Sequence, residues 1–553
     1  MWYKLNLLNH KTLIVLFILT TVLVTAQEAL VSDTEQYYDF LALQGLSERP
    51  YLNFRTLSDS SWIIDKEADH PWKNNNLGTR RNLTDKITLK IFGPELFNSY
   101  NTATPYGQND GALWQGKGYN GSFTGGARLE AYGVELTFKP QLAFSQNAGF
   151  EYMSPAYTGD NYKDKAAKYG YYGVPSIDAP QRFGDDPFFI YDWGDSEVRY
   201  TWKTLTIGFG TQAIWLGPAR LNPIIHSNNA ASYPKLDIGL RKQRMVIPKL
   251  NWYLGDIETR AWMGYLSESN WFDNDSSNDH NLITGFSIAY GVPFLSGLSI
   301  GFNRIMLSKW NAMNYEAITT ILWPFMEIDA GYDENDQRAS VIIDYILPIA
   351  GLDIFFEWGK NDFSPNFDHF LRYPFHTEGY TVGIKKSVPI TNTLKGEILL
   401  EITNLECSQD YDRLINWYST FYAHHIITQG HTNQGQWLGA GIGTGGNSQY
   451  LGFKLYYPKG YGNIFLQRRN PDLDHSYFIE SRTYGNAEGI PLGNIRAFLD
   501  IGISGLYYIN HNMSISSSLV FRDEHNPLSK SISFLSSSHR YNVYITTSLK
   551  YSF

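Results

Sequence analysis

The chain has 553 residues, 16% aromatic and only 18% charged, with a formal net charge of −9 and a single cysteine, Cys407. No basic block is present to neutralise phosphates, which excludes affinity for nucleic acid, and one cysteine excludes disulfides within the chain as a source of stability. The 39 Tyr, 32 Phe and 15 Trp are more than a water-soluble core readily hides, whereas a membrane barrel sets such rings in girdles at its two lipid–water interfaces.

At the N-terminus Lys4 and Lys11 precede an apolar run from Leu13 to Leu19, continued by Val22, Leu23 and Val24, and Ala26 follows. This is the layout of a secretory signal peptide over residues 1–26, cut after Val24-Thr25-Ala26. The apolar run is shorter than the ~20 residues a spanning helix needs, and no Cys near the cut offers a lipid attachment. Ser32-Asp33-Thr34-Glu35 then has the form of a capping box, and Tyr37, Phe40 and Leu41 recur at helical spacing until Gly45 and Pro50. A short helix is expected at 33–45. From residue 51 to 85 the text is irregular and polar, with Trp62 and the pair Pro71-Trp72 as anchors. Residues 27–85 are therefore expected to cover the periplasmic mouth of a barrel or to fold into its lumen.

Residues 86–553 carry strands of about 9–13 residues separated by Gly, Asn, Asp and Pro clusters. The clearest alternate with period two: Leu352, Ile354, Phe356 and Trp358 against Asp353, Phe355, Glu357 and Gly359, and Leu394 to Ile402 against Lys395 to Thr403. Similar segments lie near 128–138, 142–152, 196–214, 245–254, 258–267, 280–291, 296–307, 315–331, 338–348, 378–388, 449–457, 462–469, 494–509 and 512–522. In the last strand Tyr541, Val543, Ile545, Leu549, Tyr551 and Phe553 share one face, and Asn542, Tyr544, Thr546, Ser548, Lys550 and Ser552 share the other. An aromatic-flanked amphipathic strand ending in Phe is the signal of the barrel-insertion machinery. The expected fold is all-β, a transmembrane antiparallel β-barrel of about 18 strands behind a short N-terminal helix, in the outer membrane of a double-membraned bacterium. Residues 153–195 and 405–447 interrupt the strand rhythm and are expected to be surface loops, where function concentrates.

Chemistry is sparse. Gly439-Ala440-Gly441-Ile442-Gly443 lacks the βαβ setting of a phosphate loop and reads as a turn beside a strand. Adjacent His424 and His425 point to opposite sides of an extended chain, and His431 stands apart, so no metal is expected. No Gly-x-Ser-x-Gly elbow occurs, Cys407 has no evident His partner, and no carboxylates pair at a glycosidase separation. Neither a cofactor nor an enzymatic activity is expected.

Two stretches are richer than a barrel requires. One runs from Asn98-Ser99-Tyr100 through Asn109-Asp110-Gly111 and Trp114-Gln115-Gly116-Lys117-Gly118 to Asn120. The other runs from Ile177 to Gly184, then through Trp215-Leu216-Gly217-Pro218-Ala219-Arg220 to Ser227-Asn228-Asn229-Ala230. Amides beside Trp and Tyr suit a sugar, because the aromatic ring packs on its C–H face while polar side chains meet its hydroxyls. The same residues also build tight turns and an interface belt. Their order, with the Gly435–Gly443 stretch, resembles the Wzi family of capsule-assembly outer-membrane proteins from about residue 33 to the end. The resemblance implies a plugged barrel that acts as a surface lectin, holding capsular or related exopolysaccharide without catalysis. On motif position and chemistry, Asn109, Asp110, Trp114, Lys117, Trp215, Arg220, Asn228 and Asn229 are the candidate glycan contacts. The expected partners are surface polysaccharide and outer-membrane lipid; a porin or substrate-specific channel is the alternative.

Overall fold

The computed structural model describes residues 23–27, 32–64, 68–156, 165–310, 335–361, 367–391, 393–406, 421–475, 495–530 and 535–553. Most of the expected signal peptide, the strand expected at 315–331 and Cys407 lie outside the described residues. Leu23–Gln27 form a short strand that pairs with Ser61–Ile64 and Thr79–Thr84.

Helix α1 spans Asp33–Leu43, two residues shorter than expected, with Ser32 as its N-cap. Ser32 Oγ accepts from Glu35 N at 3.1 Å. The Glu35 carboxylate pairs with Arg55 Nη2 at 2.7 Å, so this side chain ties the helix to the next segment.

The barrel begins with β1 (Ile87–Asn101), β2 (Gly118–Ala131), β3 (Val134–Phe138 continued by Gln141–Ser145), β4 (Phe188–Asp192 continued by Glu197–Trp202), β5 (Leu205–Gly210), β6 (Lys235–Ile247) and β7 (Trp252–Ser267). It continues with β8 (His280–Gly291), β9 (Leu298–Lys309), β10 (Asn335–Leu347), β11 (Leu352–Asn361), β12 (Glu378–Pro389) and β13 (Lys395–Asn404). The last five are β14 (Asn447–Tyr457), β15 (Gly460–Asn470), β16 (Ala497–Asn510), β17 (Met513–His525) and β18 (His539–Tyr551). Sequence neighbours pair antiparallel throughout, and β18 pairs with β1 from Tyr544 opposite Asn101 to Lys550 opposite Glu95. The ring of eighteen is therefore closed, which leaves no strand edge to lipid.

Strand faces alternate as lipid on one side and a packed lumen on the other require. Ile207, Ile238 and Val341 are 44%, 49% and 40% exposed, while the adjoining Thr206, Asp237 and Ser340 are buried. The sequence pattern does not reveal β1, most of β2 or the first part of β6. β1 carries Gly93-Pro94 at a register shift between Phe92 and Glu95, where a strand tolerates proline. β2 is dense in glycine, and β6 shifts register between Leu240 and Gln243. The segments expected at 128–138 and 245–254 each contain a turn. At the first, Tyr132 and Gly133 have φ of 55° and 88°, the left-handed pair a tight hairpin needs.

Connections are short at one rim and long at the other, and the described parts of the long ones after β3, β5 and β13 fold inward. Phe54, Ile214, Leu216, Ile224, Tyr422, Leu438 and Ala440 form one buried cluster inside the wall. Toward the short-turn rim α1 lays Tyr37 and Phe40 against Trp72, Tyr456 and Tyr461. Tyr37 stacks on Trp72 at 4.0 Å, and the Trp72 indole donates to the carbonyls of Tyr457 and Gly460.

Wall carboxylates hold this plug. Glu258 accepts from the backbone of Leu52, Asn53 and Phe54 at 2.9, 2.9 and 2.6 Å. Glu401 accepts from Arg220, Leu221 and Asn222 at 2.8, 3.1 and 2.8 Å, and Glu357 from Ile224 at 3.0 Å. Arg49 joins Asp39 of α1 to Asp344 of β10 and Asp353 of β11 at 2.7, 2.8 and 2.5 Å.

Two outcomes test this arrangement. Val341→Arg puts a guanidinium among lipid tails and lowers stability by about 2–4 kcal/mol in urea titrations of vesicle-folded protein; an unchanged midpoint would take Val341 off the lipid face. Glu401→Ala strands three buried donors at about 1–3 kcal/mol each, so the melting temperature falls and bilayer conductance rises, whereas a silent and equally stable variant would refute its role as a plug anchor.

Candidate functional site

The motif segments, far apart in sequence, meet in one junction at the long-loop end. Asn109 N donates to Asn229 Oδ1 at 3.0 Å, and Gly111 N to the Asn228 carbonyl at 2.9 Å. Ser227 N and Oγ donate to the carbonyls of Leu438 and Gly439 at 2.7 and 2.6 Å. Asn229 Nδ2 donates to the Trp437 carbonyl at 3.1 Å. The connections after β1, β5 and β13 are thereby stitched into a single unit. Its glycine-rich part packs closely: a Cβ on Gly439 would lie 2.3 Å from the Tyr422 hydroxyl. The stretch is a turn within the plug, where His431 Nε2 lies 2.7 Å from the Ile225 carbonyl.

Asn101 at the end of β1 shapes the first of these connections. It is fully buried, and its Nδ2 reaches the carbonyls of Tyr106, Gln115 and Gly116 at 3.1–3.2 Å. That clamp fixes the loop between them. Gln115 Nε2 donates to Asp110 Oδ2 at 2.7 Å, and the Tyr544 hydroxyl donates to Gln115 Oε1 at 2.9 Å. Burial pushes the Asp110 carboxyl up to about 7 against the hydrogen bond from Gln115.

Between the stitched loops lies a cavity of about 240 Å³, lined by Trp114, Tyr171, Tyr172 and Trp437 together with Gln108, Gln115, Gln181, Gln436 and Asn229. Trp114 leans on Phe183 with centroids 4.9 Å apart, and Tyr171 meets Trp437 edge-on at 5.7 Å. The Tyr171 hydroxyl is held by Asp472 Oδ2 at 2.6 Å. Trp114 and Trp437 keep part of their surface open. Trp114 Nε1, Asn109 Oδ1 and Asn228 Oδ1 are buried with no hydrogen-bond partner among the described residues. Aromatic faces beside fixed amides can take the C–H and hydroxyl surfaces of a sugar ring.

The eight candidates separate into groups. Trp114, Asp110 and Asn229 line this cavity. Asn109, Asp110 and Asn228 line a neighbouring cavity of about 390 Å³ that extends to Asp33 and Ser552 at the other end of the lumen. Lys117 lies apart, its Nζ donating to the Gly149 carbonyl at 3.0 Å. Trp215 is 1% exposed; its indole donates to the Ala219 carbonyl at 3.1 Å and its backbone pairs with Arg55. Arg220 points toward α1 and pairs with Glu397 at 2.8 Å and Asp39 at 3.4 Å. Sequence reasoning did not select Tyr171, Tyr172, Gln181 or Trp437 as contacts. Gln181 and Trp437 sit inside the motif stretches, and the two tyrosines lie in the interruption at 153–195.

No curated protein matches this sequence. Among solved structures, the chain is similar to Wzi, an outer-membrane protein involved in group 1 capsule assembly in Escherichia coli and described as a carbohydrate-binding β-barrel. The identity is 12%, the match covers 83% of this chain and 84% of that one, and the TM-score is 0.54. Weaker likenesses include OccAB4 of Acinetobacter baumannii, with 7% identity, 83% and 97% coverage and a TM-score of 0.38. OccD3 of Pseudomonas aeruginosa shows 7% identity, 85% and 92% coverage and the same score. A closed barrel with an apolar outer face is an outer-membrane fold, and the sequence model described as capsule assembly protein Wzi matches residues 121–475; the chain belongs to that family.

Proposed function

We propose that this protein is a surface lectin that holds capsular or related exopolysaccharide on the outer membrane. The observation that carries the reading is the loop cavity in which Trp114 and Trp437 flank fixed amides above a lumen packed with buried side chains. The family's role in capsule assembly and the carbohydrate binding of the Escherichia coli relative support it. Within this reading Trp114, Asp110 and Asn229 contact the glycan beside Trp437 and Gln181. Asn109 and Asn228 set the floor, and Lys117 braces the rim. Trp215 and Arg220 act from beneath, by fixing the plug that presents these side chains. Within this reading the leader is removed after Ala26 during export, and most of the short Leu23–Gln27 strand goes with it.

A rigid aromatic platform loses little freedom when a polymer docks, which favours many weak contacts along a chain of sugars. Calorimetry of the purified barrel with the exopolysaccharide of its own host is expected to show saturable binding. Trp114→Ala and Trp437→Ala each weaken it by about tenfold or more, the size of a buried aromatic anchor. Full affinity in both variants, or no affinity for any surface glycan, would overturn the reading. Planar-bilayer recordings are expected to be nearly silent, and steady ion conductance would favour a channel.

Asp110 gives a pH signature. Its folded value of about 7 stands above the ~3.9 of an unfolded Asp. Its neutral form therefore contributes stability that is complete below about pH 4 and is lost as pH rises through about 7. Melting curves across that window are expected to show the wild type losing stability relative to Asp110→Asn; parallel curves would remove Asp110 from the account.

A further inference from the structure

The long-loop rim carries a second cluster that the glycan cavity does not use. β17 ends and β18 begins there, and the register sets His525 opposite His539 and Asp523 opposite Tyr541. Residues two apart on a strand share a face, so Asp523 and His525 stand beside His539 on the outward side. That side continues into Phe521 and Tyr541, which are 45% and 57% exposed, while Arg522 and Glu524 between them turn inward and are buried. One Asp523 oxygen lies 3.2 Å from His525 Nε2, and the other lies 2.8 Å from His539 Nδ1. The two imidazole centroids are 4.3 Å apart, and three ligand atoms, one from each residue, fall within 4.8 Å of one another.

These separations suit a small ion. Two ligands held ~2.0–2.1 Å from a tetrahedral zinc stand roughly 3.3 Å apart, near the 3.2 Å between Asp523 and His525 Nε2. The three ligand atoms lie close enough for small side-chain rotations to bring them around one ion. Two imidazoles and one carboxylate select zinc and its transition-metal neighbours, because calcium and magnesium require shells of oxygen. The ladder between β17 and β18 fixes the three backbone positions before an ion arrives, so little chain has to be ordered on binding. Side-chain exposures of 20% for Asp523, 41% for His525 and 37% for His539 leave the cluster open to the outside.

We propose that Asp523, His525 and His539 form a binding site for a divalent transition-metal ion of the zinc class at the outer rim, with a fourth coordination position open to water or an external oxygen donor. The ion clamps β17 to β18, the strand whose other edge closes the barrel against β1. Binding to the folded state alone raises stability as the ion concentration rises above the dissociation constant.

The test uses the full barrel, folded in detergent, carrying no histidine tag and stripped with a chelator. Calorimetric titration with zinc chloride is expected to show one saturable ion per chain and a melting temperature that rises with zinc, while magnesium and calcium leave it unmoved. Loss of an outer-shell partner alone costs ~10–100-fold in metal affinity, so His539→Gln and Asp523→Asn each weaken uptake by about tenfold or more. His425→Gln, at a surface histidine elsewhere, leaves it unchanged. His539 is an exposed side chain that the fold tolerates losing, and heat-modified gel migration verifies that each variant is folded. Absence of saturable zinc uptake, or uptake at wild-type strength in His539→Gln, overturns the proposal.

Discussion

Backbone that enters a barrel lumen brings N–H groups that water no longer satisfies, and a carboxylate on the inner wall has the matching need for donors. Glu258, Glu357 and Glu401 resolve both at once. Glu258 receives three successive amides of the N-terminal segment, and Glu401 receives three of the connection after β5. Removing either partner would leave the other buried and unpaired. The irregular chain inside the wall is thereby tied to the strands around it at these points, and the loop cavity rests on those ties.

The same logic extends along the lumen through paired charges. Arg199 joins Asp237, Asp237 joins Arg260, and Arg260 joins Asp59 of the N-terminal segment at 2.5, 2.6 and 2.9 Å. A buried pair adds little net stability over an apolar one, but losing one member is costly. Such a lattice rewards a single placement of the inserted segments. The proposed sugar-binding role benefits from that uniqueness, since weak contacts to a polymer count only if the platform is already in place.

The fold was legible because lipid enforces alternation. β8 has the expected bounds, and β10 to β18 lie within a few residues of the expected positions. The pattern failed where the ladder itself is irregular: at Gly93-Pro94 in β1, in the glycine-dense β2, and at the basic shift in β6. The site was legible in part. The motif stretches do converge, but Trp215 and Arg220 illustrate how residue type misleads. A tryptophan beside glycine and proline and an arginine near two asparagines suit a sugar equally well as they suit a plug, and only burial and partners separate the two.

From the sequence alone came the outer-membrane barrel, its strand number near eighteen, the short helix and the family, because period-two alternation, a capping box and ordered motifs are local properties of the text. Tertiary structure decided what the lumen holds, which aromatics stay open, and how Asp523 and His525 meet His539 across a hairpin. Those facts depend on which distant segments share space. The physical reason is the pairing of buried donors and acceptors contributed by remote parts of the chain, which no window of sequence contains.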